Sequence, residues 1–253
     1  MSATALTLTP LSGLPDVAAG DDLAGLILAA LNRAALRLEP GDAIAVAQKI
    51  VSKAEGRRVR LAEVTSSARA DELAALADKD PRQMELLLRE TREVLRARPG
   101  VVVVEDVRGL VLANAGIDAS NVSPTEGDVL LLPEDPDASA ARLRAALADA
   151  TGVAPAVLVI DSIGRAWRRG TVGTAIGVAG MDALADLRGR PDMHGRPLQT
   201  TEVGQADELA AAASLVMGQA DERCPAVLVR GLFLSGDGKA ADLVRPRALD
   251  MFR

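Results

Sequence analysis

Short apolar runs recur along the chain, each closed by Gly, Pro or a charged residue. Ala43–Gln48 (AIAVAQ), the valines of Pro99–Asp106, Val129–Pro133 (VLLLP), Ala156–Ile160 (AVLVI) and Ala226–Gly231 (AVLVRG) read as buried strands. An unbroken apolar run between turn residues suits a strand covered on both faces. Ala5–Leu8 reads as a further short strand, and Asp182–Val203 as a turn, a polar loop and a short strand. Between these lie stretches with helical spacing. One covers Leu23–Leu36 behind a capping Asp21 or Asp22. Two more cover Ala68–Lys79 and Pro81–Arg98. In the second of these, Pro81 suits a first turn, and Met84, Leu87, Leu88, Val94 and Leu95 fall near helical spacing. The last two are Ala140–Ala150, after an Asp or Ser cap, and Gln205–Gly218. Strands and helices interleave throughout, which predicts an α/β or mixed α+β fold. No repeat or low-complexity linker appears. The reading is a single domain over 1–253, or two subdomains whose boundary composition does not mark.

Composition narrows the chemistry. The 253 residues are 49% hydrophobic but only 1% aromatic, so the core is built from Ala, Val, Leu and Ile. So few aromatics argue against a base-stacking surface for single-stranded nucleic acid. The net charge of −6 supplies no general field for DNA, so any anion site is local. Cys224 is alone, the N-terminus has neither a basic region nor a long apolar core, and no run approaches the roughly 20 apolar residues of a membrane span. The expectation is a cytoplasmic protein that binds neither nucleic acid nor membrane. His194 is the only histidine, in a polar loop, so a metal here would be a hard cation held by oxygens.

The densest chemistry lies in Asp161–Gly180 (DSIGRAWRRGTVGTAIGVAG). A buried strand ending on Asp161 opens into a stretch with Arg165, Arg168, Arg169, five glycines and the only Trp. A carboxylate at a sheet mouth can hold a metal. Glycines let backbone N–H groups approach oxyanions, and arginines bind phosphate or carboxylate in forks. The plainer alternative is a strand, a polar turn and a glycine-rich connector. Lys49–Arg57 (KIVSKAEGR) has two of the chain's few lysines four apart beside Ser52, which fits a phosphate-facing loop or else a solvated strand edge. Asp118, Ser120 and Asn121 are the polar groups of a small-residue loop. Neither GxxxxGK[ST] nor a GxGxxG after a strand occurs, so a nucleotide would not use either common phosphate loop.

Several blocks together resemble one family. GLPDVAAGDDL (Gly13–Leu23), QKIVSKAEGR (Gln48–Arg57), ANAGIDASN (Ala113–Asn121), DSIGRAWRRG with AIGVAG (Asp161–Gly170, Ala175–Gly180) and TEVGQADELAAAASLVMGQ (Thr201–Gln219) are similar, in order, to the coenzyme F-420-0:gamma-glutamyl ligases. The resemblance implies a fold peculiar to that family, with mixed sheets, flanking helices and an intertwined homodimer. It also implies the form without the C-terminal nitroreductase-like domain that some relatives carry. The implied reaction is GTP-dependent addition of L-glutamate to the lactyl carboxylate of F-420-0, a deazaflavin precursor. It would run through an acyl phosphate, with GDP and phosphate released and a second, gamma-linked glutamate to follow. Implied cofactors are Mn²⁺ or Mg²⁺ at two sites, and K⁺.

Carried onto this chain, the family's GTP contacts fall on Leu14, Pro15, Asp16, Val17, Gln48, Ser52, Lys53 and Asn121, with Met217, Gly218 and Gln219 on the guanine side. One metal falls on Asp118 and Asp161, a second on Ser162 and Gln219. Asp118, Asp161, Arg165 and Arg168 are the expected catalytic residues, the arginines neutralising the acceptor's carboxylate or phosphodiester. Ser162 stands where Thr is usual, Ile163 where a bulkier residue is common, and Gly173 where many relatives have an acid. The last two motivate an alternative: an amide ligase of the same fold with a different carboxylate or amine donor. A non-catalytic nucleotide-binding module is a third reading.

Overall fold

The computed structural model describes residues 5–122 and 127–252. In chain order the elements are β1 (Thr7–Pro10), α1 (Leu23–Arg33), β2 (Ala43–Ala47), α2 (Gln48–Ala54), β3 (Arg58–Arg60), α3 (Ala68–Ala77), α4 (Pro81–Arg89), β4 (Thr91–Arg98), β5 (Val101–Asp106), β6 (Val111–Ala113), β7 (Asp128–Leu130), α5 (Pro136–Thr151), β8 (Ala156–Gly164), β9 (Thr171–Ala179), β10 (Ala185–Asp186), β11 (Glu202–Val203), α6 (Gln205–Met217) and β12 (Ala226–Arg230). The fold is mixed α/β with several sheets.

The central sheet has the order β1-β12-β2-β8-β9. Only β2 and β8 run parallel; the other pairings are antiparallel. Side chains alternate between its faces, as a pleated strand requires. Ile44, Val46, Val157, Val159 and Leu228 meet Ile27 and Leu31 of α1 and Leu143 and Leu147 of α5. On the other face Ala43, Ala45, Leu158 and Val227 meet Ala206, Leu209, Ala210 and Ala213 of α6. Small residues on both sides let α6 lie close to the sheet. A third cluster joins α3 and α4 to Val102 and Val104 of β5, with Ile117 and Val129. The antiparallel sheet β4-β5-β6 carries it.

Three expectations are corrected. Lys49–Arg57 is not a loop: α2 begins at Gln48, because Gln48, Ile50, Val51 and Ser52 form one buried face. The helix from Pro81 stops at Arg89, and Thr91–Arg98 is β4. Local spacing suggested helix, but pairing with the valine-rich β5, bulges included, prevails. Finally, β8 does not end at Asp161. It continues to Gly164 and turns into β9, so Asp161 pairs with Thr174 and Ser162 with Gly173 inside a hairpin. Two of its glycines serve packing rather than anion contact. A Cβ at Gly173 would collide with the Ala210 carbonyl and the Ser214 side chain of α6, and one at Gly177 with the Pro136 carbonyl of α5. Carboxylates complete β9: Asp207 of α6 accepts from Ala175 N at 2.9 Å, and Asp137 of α5 from Val178 N at 2.7 Å.

A buried ion network ties the third cluster to the central sheet. Glu90, just past α4, bridges Arg57 and Arg108, each at 2.7 Å. Arg108 also pairs with the fully buried Asp106 at 2.9 Å. Arg57 Nε and Arg108 Nε donate to the carbonyls of Leu132 and Pro133. Every charge in this network has both a partner and hydrogen bonds, the condition under which burying charge is tolerated.

Two predictions follow from the packing of β9. Gly173→Ala overfills the contact with α6 and should lower stability by about 1–3 kcal/mol, read as a drop in thermal midpoint; an unchanged midpoint contradicts the contact. The second concerns Asp207, whose carboxyl burial raises above the usual range, partly offset by the bond from Ala175 N. The folded state therefore holds this proton more tightly than the unfolded state. Stability falls as pH rises from about 4 through the raised value. Asp207→Asn should flatten the pH dependence of stability over that window, and Asp207→Ala should destabilise at every pH by leaving Ala175 N unpaired.

Candidate active site

Parallel pairing of β2 with β8 puts their carboxyl ends side by side, with Ala47 opposite Ile160. Immediately beyond lie Gln48 and Lys49 on one strand's exit and Asp161 on the other. Crevices at the carboxyl ends of parallel strands are where α/β folds collect ligands. The same corner receives the loop after β6. Asn114, Ala115 and Gly116 there are consecutive left-handed residues, with φ of 53°, 52° and 67°. For residues other than Gly this costs about 1–2 kcal/mol each. It is held by Val102 N donating to Asn114 Oδ1 at 3.2 Å and by Leu132, which fills the space a Cβ at Gly116 would need. The turn delivers Asp118, whose backbone N–H and C=O both bond Leu130, at 3.0 and 2.8 Å.

Charge concentrates at this corner. Lys49 Nζ lies 2.6 Å from Asp118 Oδ2 and also donates to the Ser120 carbonyl at 3.0 Å. Ser120 donates to Asp118 Oδ1 from both its N–H and its hydroxyl, each at 2.8 Å. Burial pulls the Asp118 carboxyl upward, but the Lys49 ammonium and the Ser120 donors outweigh it and hold the group below the usual range. Asp161 stands in contrast. Its carboxyl is pushed up to about 6, chiefly by burial and further by the negative charge of Asp118. The Ser162 N–H, donating at 2.8 Å, and Lys49 offset only part of this. Two carboxylates thus share a desolvated corner, one satisfied and the other short of positive charge.

A third segment closes the corner. After the left-handed Gly218 at the end of α6, Gln219 Oε1 accepts from the Ser162 hydroxyl at 2.6 Å, and the Ala220 carbonyl accepts from Asn121 Nδ2 at 3.2 Å. Asp118, Asn121, Asp161, Ser162 and Gln219 are therefore brought to one corner.

The other expected residues fall as follows. Leu14 and Val17 pack on the same core as Ile50 and Val51, and Gly20 N bonds Ala54 O at 2.8 Å, so segment 14–20 lies along α2. Pro15 and Asp16 line an open cleft of about 520 Å³ with Asp21, Asp22, Gly25 and Leu26. Gln48 and Ser52 are buried and bonded to each other at 2.9 Å. Lys53 makes no ion pair among the described residues. Met217 is buried beneath the loop that Gly218 and Gln219 begin. Arg165 and Arg168 sit on the exposed β8–β9 turn and contact neither carboxylate; Arg165 donates only to the Arg169 carbonyl at 3.4 Å. Ile163 packs at the edge of the α1–α5 core, and Gly173 lies under α6.

Sequence reading missed the part played by Lys49, although its rarity in an arginine-rich chain was a signal. It weighted Lys53 instead, because which lysine faces Asp118 depends on α2 being helical. Among the described residues no three His, Cys, Asp or Glu side chains are grouped to hold a metal. The donors here are two carboxylates, a hydroxyl and an amide oxygen, all hard oxygen ligands. No helix among the described residues is long and apolar enough to cross a membrane.

Comparison with known proteins places these residues in one lineage. The profile of the F420-0:Gamma-glutamyl ligase family matches residues 13–231. The chain is 48% identical to a coenzyme F420:L-glutamate ligase of Methanothermobacter thermautotrophicus, over 98% of this chain and 99% of that protein. It is 46% identical to the Methanopyrus kandleri protein of the same name, over 92% of each chain. It is 44% identical to that of Archaeoglobus fulgidus, over 96% of this chain and 95% of the relative.

If Ser162 and Asn121 hold the segment after α6, replacing both with Ala should speed amide hydrogen exchange in residues 218–224 while β2 and β8 stay protected. Unchanged exchange in that segment would show that other contacts hold it.

Proposed function

The chain belongs to the F420-0:gamma-glutamyl ligase family, and we propose on that premise that it is a GTP-dependent ligase joining L-glutamate to F-420-0. The lactyl carboxylate of F-420-0 attacks the γ-phosphorus of GTP, giving an acyl phosphate and GDP. The glutamate amine then attacks the acyl carbon, phosphate leaves, the amine gives up a proton, and an amide remains. A second glutamate, joined through the gamma carboxyl, follows by the same steps. The enzyme acts as one domain over 1–253, as a homodimer, in the cytoplasm.

The observation that carries this reading is the convergence of Asp118 and Asp161 at one corner, with too little positive charge between them. A group of hard oxygen donors with net negative charge fits Mg²⁺ or Mn²⁺. Such ions take one or two carboxylates from protein and the rest from phosphate and water. When bound, a divalent ion would neutralise phosphate charge and align the γ-phosphate with its attacker. Asp118 and Asp161 would hold one ion, and Ser162 and Gln219 a second. K⁺ would add to the positive charge. Lys49 occupies Asp118 now, as a single positive charge where a stronger one would compete.

The chain's own residues supply placement. Leu14–Val17, Lys53 and Asn121 border the nucleotide, with the buried Gln48–Ser52 pair fixing α2 from below rather than touching it and Met217–Gln219 closing the guanine side. Lys53, without an acidic partner among the described residues, faces the phosphates as a point charge. Arg165 and Arg168, also without an acidic partner among the described residues, take the anionic part of the acceptor. Because the reaction transfers a phosphoryl group, catalysis rests on position and charge more than on acid–base chemistry.

The test is a product mass spectrum after incubation with F-420-0, GTP, L-glutamate and Mn²⁺ or Mg²⁺. The expected result is a glutamylated product and GDP that form only when all are present. Asp161→Ala should keep its circular dichroism and melting profile yet form no product. Absence of product from the native protein, or undiminished turnover in Asp161→Ala, overturns the proposal.

A further inference from the structure

The chain has three aromatic residues, Trp167, Phe233 and Phe252, and none is in the core. Large aromatic side chains ordinarily go where they remove the most apolar area from water. Here Trp167 is 88% exposed at the tip of the β8–β9 hairpin, and its backbone is left-handed at φ 63°, a conformation unfavourable for a bulky residue. The tip therefore holds an indole out in solvent against both the hydrophobic effect and backbone preference. Strain of this kind collects where a side chain has a task.

A second aromatic comes to the same place from far away in the chain. The segment after α6 and β12 runs back across the β4–β5 hairpin, where Arg247 pairs with Glu93 at 2.7 Å. Within it Phe252 lies against Trp167, ring centroids 6.4 Å apart and planes inclined by 51°. The tilt puts Phe252 beside the indole and leaves an indole face open. Phe252 therefore flanks the ring without covering it, since Trp167 stays 88% exposed. Arg165, Arg168 and Arg169 surround the tip, and none has an acidic partner among the described residues.

The hairpin also links this platform to the corner described above. Asp161 and Trp167 share one continuous β8-to-turn segment, and Asp161 to Gly164 alone spans about 10 Å at a strand's rise. Along this line the chain presents an oxygen-ligand corner, then Arg165, then the exposed indole with Arg168 and Arg169 beyond it. A ligand with a carboxylate at one end, a phosphodiester between and a flat conjugated ring at the other end matches that order.

We propose that Trp167, braced by Phe252, is the stacking platform for the deazaflavin ring of the acceptor, with Arg165 and Arg168 on its phosphodiester and the carboxylate at Asp118 and Asp161. The assignment rests on the ligase reading for the identity of the acceptor. It adds a ring subsite and gives the C-terminal segment a positioning role. Guanine is also flat, but the segment expected on its side, Met217–Gln219, meets the hairpin at Ser162 near its base, five residues before Trp167, whereas the tip carries the guanidinium groups for a ligand that extends outward along the hairpin.

Because Trp167 is the only tryptophan, intrinsic fluorescence reports on this position alone. Titration of the full-length protein with F-420-0 should quench the emission saturably, and titration with GTP alone should not. In steady-state assays, Trp167→Ala should raise KM for F-420-0 by about tenfold or more, the scale of losing one ring-stacking contact. Its kcat should stay within about threefold and KM for GTP should be unchanged. Trp167→Phe should recover most of the loss, and Phe252→Ala should fall between. The proposal is overturned if active enzyme shows no quenching by F-420-0, if GTP quenches equally, or if Trp167→Ala leaves the acceptor KM unaltered. It is also overturned if Trp167→Ala changes the sedimenting mass while the acceptor KM stays the same, since the indole would then be a contact between copies. A protein that makes no product from F-420-0 would instead count against the ligase reading, and the fluorescence titration would still decide whether the tip binds the ring.

Discussion

Two carboxylates forced into one half-buried corner repel each other, and much of the surrounding structure serves to keep them there. Asp118 is held by Lys49 and Ser120, while Asp161 has one backbone donor and a carboxyl driven up to about 6. A chain selected only for stability would separate such groups or replace one of them, since burying an undercompensated charge is unfavourable. Their oxygen chemistry is what the divalent ion proposed above would need.

The framework is rigid where it meets this corner. Parallel pairing of β2 with β8 fixes Asp161 relative to α2. The left-handed turn at Asn114–Gly116 and the two backbone bonds to Leu130 fix Asp118. The Arg57–Glu90–Arg108–Asp106 network locks the third cluster to the end of α2, so the two carboxylates, which arrive from different parts of the fold, keep their spacing. Placement to within a fraction of an ångström is what phosphoryl transfer asks of a protein. The hairpin tip is built differently, exposed and bounded by the C-terminal segment, which suits the acceptor subsite proposed for it.

Much of this was legible in the chain itself. The five buried strands follow from apolar runs, and the start of α1 from its cap Asp22, but α5 begins at Pro136 behind Asp135, four residues before the Ala140 expected, so Asp137 and Ser139 lie inside the helix rather than capping it. Asp118 and Asp161 stood out because each breaks an apolar or small-residue run with an acid. What escaped was whatever depends on distant pairing. Thr91–Arg98 has helical spacing and becomes a strand only because β5 lies beside it. The glycines of 171–180 look like an anion loop, yet Gly173 and Gly177 are small so that α6 and α5 can touch β9. Lys49 was passed over for Lys53, since its partner Asp118 is sixty-nine positions away in sequence and only 2.6 Å away in space. The meeting of Trp167 with Phe252 leaves no local signal at all.

The account stands or falls on whether the Asp118–Asp161 corner holds a divalent ion. The most direct measurement is a Mn²⁺ titration followed by electron paramagnetic resonance, in the presence of GDP, comparing the native protein with Asp118→Asn. The expected result is a bound-Mn²⁺ signal in the native protein whose affinity falls by about tenfold or more in the variant, as loss of a carboxylate ligand implies. Equal Mn²⁺ affinity in the two proteins would contradict it.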